Sequence, residues 1–279
     1  MRIFTIAIAV LSGTGLIHAA PYADDARAIV EKSLAAEDRS DKVAIDYTYK
    51  ARDVTKELDG KGNVKNSRTT VSEVVYLGGK LVRHVIEKDG KPLAGDELKK
   101  EQAKFDRAVD EASKLTDADK QRRRQEELDK RRKNFEQRKV VPQAFDLSLL
   151  REDKVAGRPA WVIHATPRKD FHGKYANIMR NMEGDIWIDK ADYRWAKITA
   201  HALDSFSLGL VLARIGKDTE INFELARING EVWLPKHVSV HADARIAIFK
   251  KVNVEQEIFF SDYRKYTSDS RIVETAEQQ

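Results

Sequence analysis

Few residues in this 279-residue chain are spaced for chemistry, and each group has a plain alternative. Asp185, Asp189 and Asp192 crowd one stretch, "GDIWIDKADYRW", where three carboxylates could hold calcium; a turn also favours Asp for its backbone hydrogen bonds. His237 and His241 are four apart, which suits a shared metal on a helix. On a strand that spacing spans roughly 13 Å, too far for one ion. His164 and His201 stand singly among alternating residues, as surface histidines do. Ser205 and Ser207 lack the glycine-flanked elbow of a serine hydrolase. The chain has no cysteine, which removes a thiolate nucleophile, a thiolate metal site and a disulfide framework. The expectation is a protein that is not an enzyme, with no metal and no cofactor.

The elements around these residues are more informative. In residues 184–203, Ile186 and Ile188 alternate with Asp185, Trp187 and Asp189. After the turn Lys190-Ala191-Asp192, Ala196, Ile198, Ala200 and Ala202 alternate with Trp195, Lys197, Thr199 and His201. Strand side chains point alternately to opposite faces. One face of this hairpin is therefore apolar and rich in alanine, and Trp187 and Trp195 are expected together on the other. Small residues on a covered face leave space beside them.

The N-terminus bounds the compartment. Met1-Arg2, the apolar run "IFTIAIAVLSGTGLI" and "IHAA" read as a cleaved signal peptide over residues 1–20, with cleavage after Ala19 or Ala20. The roughly 260 residues left suffice for one domain, 21–279, able to hold together by core burial alone. Formal net charge is +5, but 50 basic residues are interspersed with 45 acidic ones, so nucleic acid is not an expected partner.

Three regions follow. Residues 24–38 read as an opening helix, with Asp24 and Asp25 where an N-terminus favours acids. Strands come next: one from Val43 through Tyr49, then 69–77 and 81–88 around Gly78-Gly79, a hairpin signal. Residues 96–139 hold 27 charged residues in 44, without glycine or proline. Thr116-Asp117-Ala118-Asp119 resembles a capping box, so the region reads as two helices. The second is apolar only at Leu128 and Phe135. Arg122, Arg123 and Arg124 lie beside Glu126, Glu127 and Asp129, which oppose phosphate binding. From 144 to 264 nearly everything alternates as strand: Phe145, Leu147 and Leu149; Trp161, Ile163 and Ala165; the 184–203 hairpin; Ile221, Phe223 and Leu225; a turn at Asn229-Gly230; then Val238, Val240, Ile246, Ile248, Ile258 and Phe260.

Ten or eleven antiparallel strands with one wet and one covered face tend to curl. The fold class expected is mainly β (α+β): a strongly curved antiparallel sheet, an unclosed half-barrel, covered by the N-terminal helix and a charged helical insertion at about 96–139. A cavity on the covered face is expected, lined by Trp161, Ile163, Ile186, Ile188, Ala196, Ile198, Ala200, Ala202, Ile246 and Ile248.

The signal peptide, opening helix, hairpins, helical insertion, the stretch "GDIWIDKADYRWAKI" and the late run ending "FSDYRKY" together resemble the LolA/LolB-type carriers of lipoproteins and related sorting proteins. The long charged insertion departs from that pattern. The resemblance implies an unclosed β-barrel with helices over its mouth that binds acyl chains, in a periplasmic protein. Lipid or lipoprotein acyl chains are then the expected partners, with outer- or inner-membrane lipoprotein-sorting proteins beside them, and the protein is expected to be a monomer. The alternative is a periplasmic sensor using the same fold to bind a signalling protein. N-terminal sequencing of the exported protein is expected to begin at Ala20 or Pro21; a product retaining Met1 overturns the export expectation.

Overall fold

The computed structural model describes residues 22–37, 41–208, 213–246 and 250–266. The expected signal peptide and Ile248 lie outside them. Helix α1 spans Tyr22–Glu37 and a short α2 spans Asp41–Ala44. Strands β1 (Tyr47–Leu58), β2 (Val64–Leu77), β3 (Lys80–Lys88) and β4 (Lys91–Pro92) lead into helices α3 (Gly95–Ser113), α4 (Asp117–Lys139) and α5 (Val141–Ala144). Then come β5 (Phe145–Val155), β6 (Arg158–Pro167), α6 (Ala176–Met179), β7 (Met182–Asp189), β8 (Trp195–Ala202), β9 (Phe206–Leu208), β10 (Ala213–Ile215), β11 (Glu220–Ile228), β12 (Val232–Ile246) and β13 (Lys250–Lys265).

All join one sheet. Its main path runs β4-β3-β2-β1-β13-β12-β11-β8-β7-β6-β5, and β10 attaches β9 to β12. Neighbours are antiparallel throughout, and the terminal strands β4 and β5 do not pair with each other. The sheet is thus eleven strands wide and not closed, as the alternation predicts. Its one long-range joint is β1 with β13, which brings the first and last strands together at the centre.

Local chemistry explains the turns. Gly78 and Gly79 (φ 54° and 92°) close β2–β3, and Asn229 and Gly230 (φ 51° and 67°) close β11–β12, as a type I′ hairpin requires. The Thr116 side chain accepts from the Asp119 backbone N–H at 3.2 Å, capping α4. The sequence expectation fails at Val43: residues 43 and 44 lie in α2, and β1 begins only at Tyr47. Ala44 and Tyr47 pack against Val232 and Leu234 in a small core at the end of β12, so this segment serves as a plug rather than a strand. The Tyr47 hydroxyl donates to Glu231, and burial followed by that carboxylate pushes its pKa up to about 12.

The β7–β8 register corrects another expectation. Ile186 faces Ile198 and Trp187 faces Lys197, but Ile188 faces Trp195, so pairing slips one residue at Ala196. Such a bulge re-aims the side chains beside it. Trp195 leaves Trp187 and is buried with Ile188 beneath α1, its indole N–H donating to Ser33 Oγ at 2.7 Å. Trp187 remains on the other side, with its indole N–H on Asp153. Ala196 joins a separate buried group with Ala160, Val162, Trp187 and Trp233.

The turn between β7 and β8 is held by a buried charge rather than arranged around an ion. Asp189, only 1% exposed, receives both arms of the Arg158 guanidinium at 2.7 and 2.9 Å and the backbone N–H groups of Ala191 and Asp192. Asp192 accepts from Arg158, Arg227 and the Trp233 indole. Burial is the largest influence on Asp189 and opposes its charge; the Arg158 bonds and the turn amides together outweigh it and hold the carboxyl below the usual range.

The charged helices dock by close approach at one point. A Cβ on Gly79 would come within 2.3 Å of the Lys120 carbonyl oxygen, and one on Gly78 within 2.8 Å of Leu115. Two tests follow from these joints. Gly79→Ala is expected to cost about 1–3 kcal/mol and to speed hydrogen exchange around 114–125 while leaving β7–β8 protected; unchanged exchange there means the turn does not anchor the helices. Asp189→Asn is expected to cost about 2–3 kcal/mol at neutral pH. Because the folded pKa is depressed, the contribution of Asp189 is present above the unfolded carboxylate value near 3.9 and is lost as pH falls through the folded value. The difference between the two proteins in urea melts is therefore constant from pH 7 to about 5 and shrinks below; a constant difference down to pH 2 overturns this.

Candidate functional site: the inner face of the sheet

Register traces one face across the sheet. Ile186 lies opposite Ile198, Ile198 opposite Phe223, Phe223 opposite Val238, and Val238 opposite Ile258. Directly paired residues share a face. Ile186 packs beneath α1, which makes this the inner face. Continuing into β1 and β2, the same face carries Tyr49, Ala51 and Asp53, then Val74 and Tyr76.

Coverage of that face is uneven. At one end α1 and α5 seal β5–β8: Ala26, Val30, Ile163 and Ile188 are all fully buried. The Arg194 guanidinium donates to the Ala36 carbonyl oxygen, tying the C-terminus of α1 to the β7–β8 connection. At the other end α4 packs on β3, while Phe105 of α3 stacks on His84, on the face opposite Val74 and Arg83. No helix packs extensively on β1, β11 or β13. In that gap Val238, Ile258 and Phe260 are only half-buried, as are Ile198, which packs against the core under α1, and Phe223, which packs against the second core; Ile221 in the next row is 37% exposed. An apolar row left half-open over several strands is unusual for a packed core. One polar pin interrupts it: Asp53 accepts from the Gln256 amide at 2.9 Å and from Thr55.

Helix α4, 23 residues and so about 34 Å long, runs across this trough as a strap. Its first turns abut Gly79. Its far end buries Phe135 and stacks Arg138 over the Trp195 ring. Between them Arg124 donates to Asp46 at 2.7 Å and reaches the Tyr76 hydroxyl at 3.4 Å. Residues 120, 124, 128, 131, 135 and 138, among its half-buried or buried positions, have the spacing of one helical face.

The structure separates the residues expected to line a cavity. Ile163, Ile186 and Ile188 are buried in the core under α1, with Trp161 at its margin against Tyr193. Ala202 is buried at 2% exposure, Ala196 joins the second core, and Ile246 ends β12 opposite Ala213. Ile198 and Ala200 lie half-buried at the edge of the trough. Phe223, Val238, Ile258, Phe260 and Tyr49 were not singled out by spacing. Their alternation is visible, but only the β1–β13 and β8–β11 pairings place them together. A cavity of about 410 Å³ is lined by β1, β2, β13 and Tyr266, and it shares Tyr49, Val74 and Tyr76 with this face. No helix residue and none of the expected lining residues borders it.

The chemistry-bearing groups are spoken for by protein partners. His164 Nδ1 lies 2.7 Å from Asp185, and Glu183 lies between His164 and His201. His237 stacks on Phe259, and His241 is 3.9 Å from Glu255. Among the described residues no set of His, Asp and Glu is arranged to hold a metal ion, and no helix is long and apolar enough to cross a membrane.

No family model matches the chain, and no curated protein matches it. Among solved structures it is similar to a candidate outer membrane lipoprotein-sorting protein domain from Vibrio parahaemolyticus, at 12% identity and a TM-score of 0.38, covering 88% of this chain and 94% of that one. It is also similar to a DUF1329 family protein from Desulfovibrio piger, at 13% identity and a TM-score of 0.33, covering 89% and 95%. A LolA superfamily protein from Nitrosomonas europaea aligns at 12% identity with a TM-score of 0.28, covering 87% and 94%. The chain is thus distantly similar, over most of its length, to LolA-superfamily and lipoprotein-sorting structures.

Proposed function

We propose that the protein is a periplasmic carrier that holds an acyl chain, or the lipid part of a lipoprotein, in the trough beneath α4, for transfer toward the outer membrane. The observation that carries this reading is the in-register row Ile198–Phe223–Val238–Ile258, apolar yet half-buried in the gap between the two helix groups. An acyl chain is the ligand that such a surface lacks. Each methylene it buries contributes about 0.8 kcal/mol, so a ten-carbon segment gains several kcal/mol after its ordering cost. The residues that hold it in this reading are Ile198 and Ala200 at one margin, Phe223, Val238 and Ile258 in the floor, and Phe260 toward β1. Nothing in the trough needs a cofactor for this task.

Val238→Trp fills the middle of the floor. It is expected to weaken binding of a fluorescent fatty acid about tenfold, or ~1.4 kcal/mol, with a melting temperature within a few degrees of the unmutated protein. Unaltered binding by the variant, or no binding by the unmutated protein, overturns the carrier reading.

A further inference from the structure

The strap over the trough is cationic on its inward side, and among the described residues Arg131 on that side has no carboxylate partner. Along that face Arg124 pairs with Asp46, Phe135 is buried, and Arg131 lies between them, seven residues from the first and four from the second. Arg131 is half-buried, and among the described residues it has no ion pair. Its charge acts on two phenols of the inner face, Tyr49 and Tyr263, and Tyr49 is 5.5 Å from Tyr263 and 5.7 Å from Phe260, centroid to centroid. On the adjoining strands Tyr49 is opposite Val74, and Val74 opposite Arg83, which places a second arginine on the same face without an acidic partner among the described residues. The nearby carboxylates are already engaged: Asp46 by Arg124, Glu231 by Lys265 and Tyr47, and Asp53 by Gln256. The Tyr263 hydroxyl donates to the Pro235 carbonyl oxygen. Burial raises the Tyr49 phenol, against the pull of Arg83 and then Arg131, so it stays a proton donor.

We propose that Arg131, Arg83 and the Tyr49 hydroxyl form a subsite for the anionic headgroup of an amphiphile, a phosphate or carboxylate, whose chain lies along Phe260, Ile258 and Val238. This rests on the carrier reading and adds the headgroup class to it. A half-buried and an exposed guanidinium, neither with an ion pair among the described residues, and a phenol beside a half-buried apolar floor favour an anion, whereas a neutral headgroup leaves the arginines unmatched. An apolar chain without charge gains the floor but not the roof.

The test compares dodecyl phosphate, dodecanol and inorganic phosphate, each below micelle formation, as competitors of a fluorescent fatty acid. Dodecyl phosphate is expected to bind at least tenfold tighter than dodecanol, and inorganic phosphate alone not to compete at millimolar concentration. Arg131→Gln and, separately, Arg83→Gln are expected to erase most of that preference without altering dodecanol affinity, while Arg131→Lys keeps part of it. Equal affinity for the two amphiphiles overturns the subsite and leaves the carrier reading standing. Loss of both affinities in Arg131→Gln, with a normal melt, assigns Arg131 to shaping the trough and overturns the subsite. Competition by inorganic phosphate as strong as by dodecyl phosphate overturns the amphiphile as its ligand. Failure of dodecyl phosphate, dodecanol and the fluorescent fatty acid to bind the unmutated protein overturns both readings.

Discussion

Eleven antiparallel strands present one continuous inner face, and the helices of this chain meet that face extensively only toward its two ends. Everything else in the molecule answers to that shortage of cover. Apolar groups on a strand face must be taken out of water by something, and α1 does so completely for β5–β8, where Ile163 and Ile188 have no exposed surface. The helical insertion cannot do the same for the centre. Helix α4 offers only Leu128 and Phe135 as large apolar side chains, and many of its charges are satisfied within the helix by pairs such as Asp117–Lys120, Asp119–Arg122, Glu127–Lys130 and Glu136–Lys139. Those pairs are exposed and screened by water. They keep α4 helical and soluble, and they do little to press it onto the sheet.

Much of this was legible in the sequence, and the illegible parts have physical causes. Strand alternation, the Asn229-Gly230 and Gly78-Gly79 hairpins, the Thr116 cap and the charged pair of helices all follow from local rules, and the structure has each of them. Local rules are silent on which distant strands pair. The joint between β1 and β13 closes a loop of about two hundred residues, and it alone brings Tyr49 to Tyr263 and Phe260. They are equally silent on bulges. Strict alternation puts Trp195 beside Trp187; one slip at Ala196 sends it beneath α1 to Ser33, because the indole gains both burial and a hydrogen bond there. Val43 and Ala44 misled for a related reason, since an apolar run too short to show a period fits a plug as well as a strand. The candidate site inherits these limits. Alternation puts Ile198 and Ala200 on one strand face, while the residues of the proposed floor come together only through non-local pairing.

The two covering elements differ in how firmly they are held. Helix α1 buries Ala26 and Val30 completely, and at about 1.5–3 kcal/mol for a fully buried aliphatic side chain such as Val30 the apolar seal alone is substantial. The Trp195–Ser33 and Arg194–Ala36 bonds add to it in surroundings with little access to water. Helix α4 buries one aromatic ring at its far end, leans on glycine contacts at its near end, and is tied between them by the half-exposed Arg124–Asp46 pair. Segments with few buried apolar contacts open at lower free energy than the core they lie on. Lifting the strap between its two ends therefore costs far less than lifting α1, and it uncovers the part of the sheet whose apolar row is least filled. The uneven division of apolar residues between α1 and α4 makes one a fixed wall and the other the movable side of the trough.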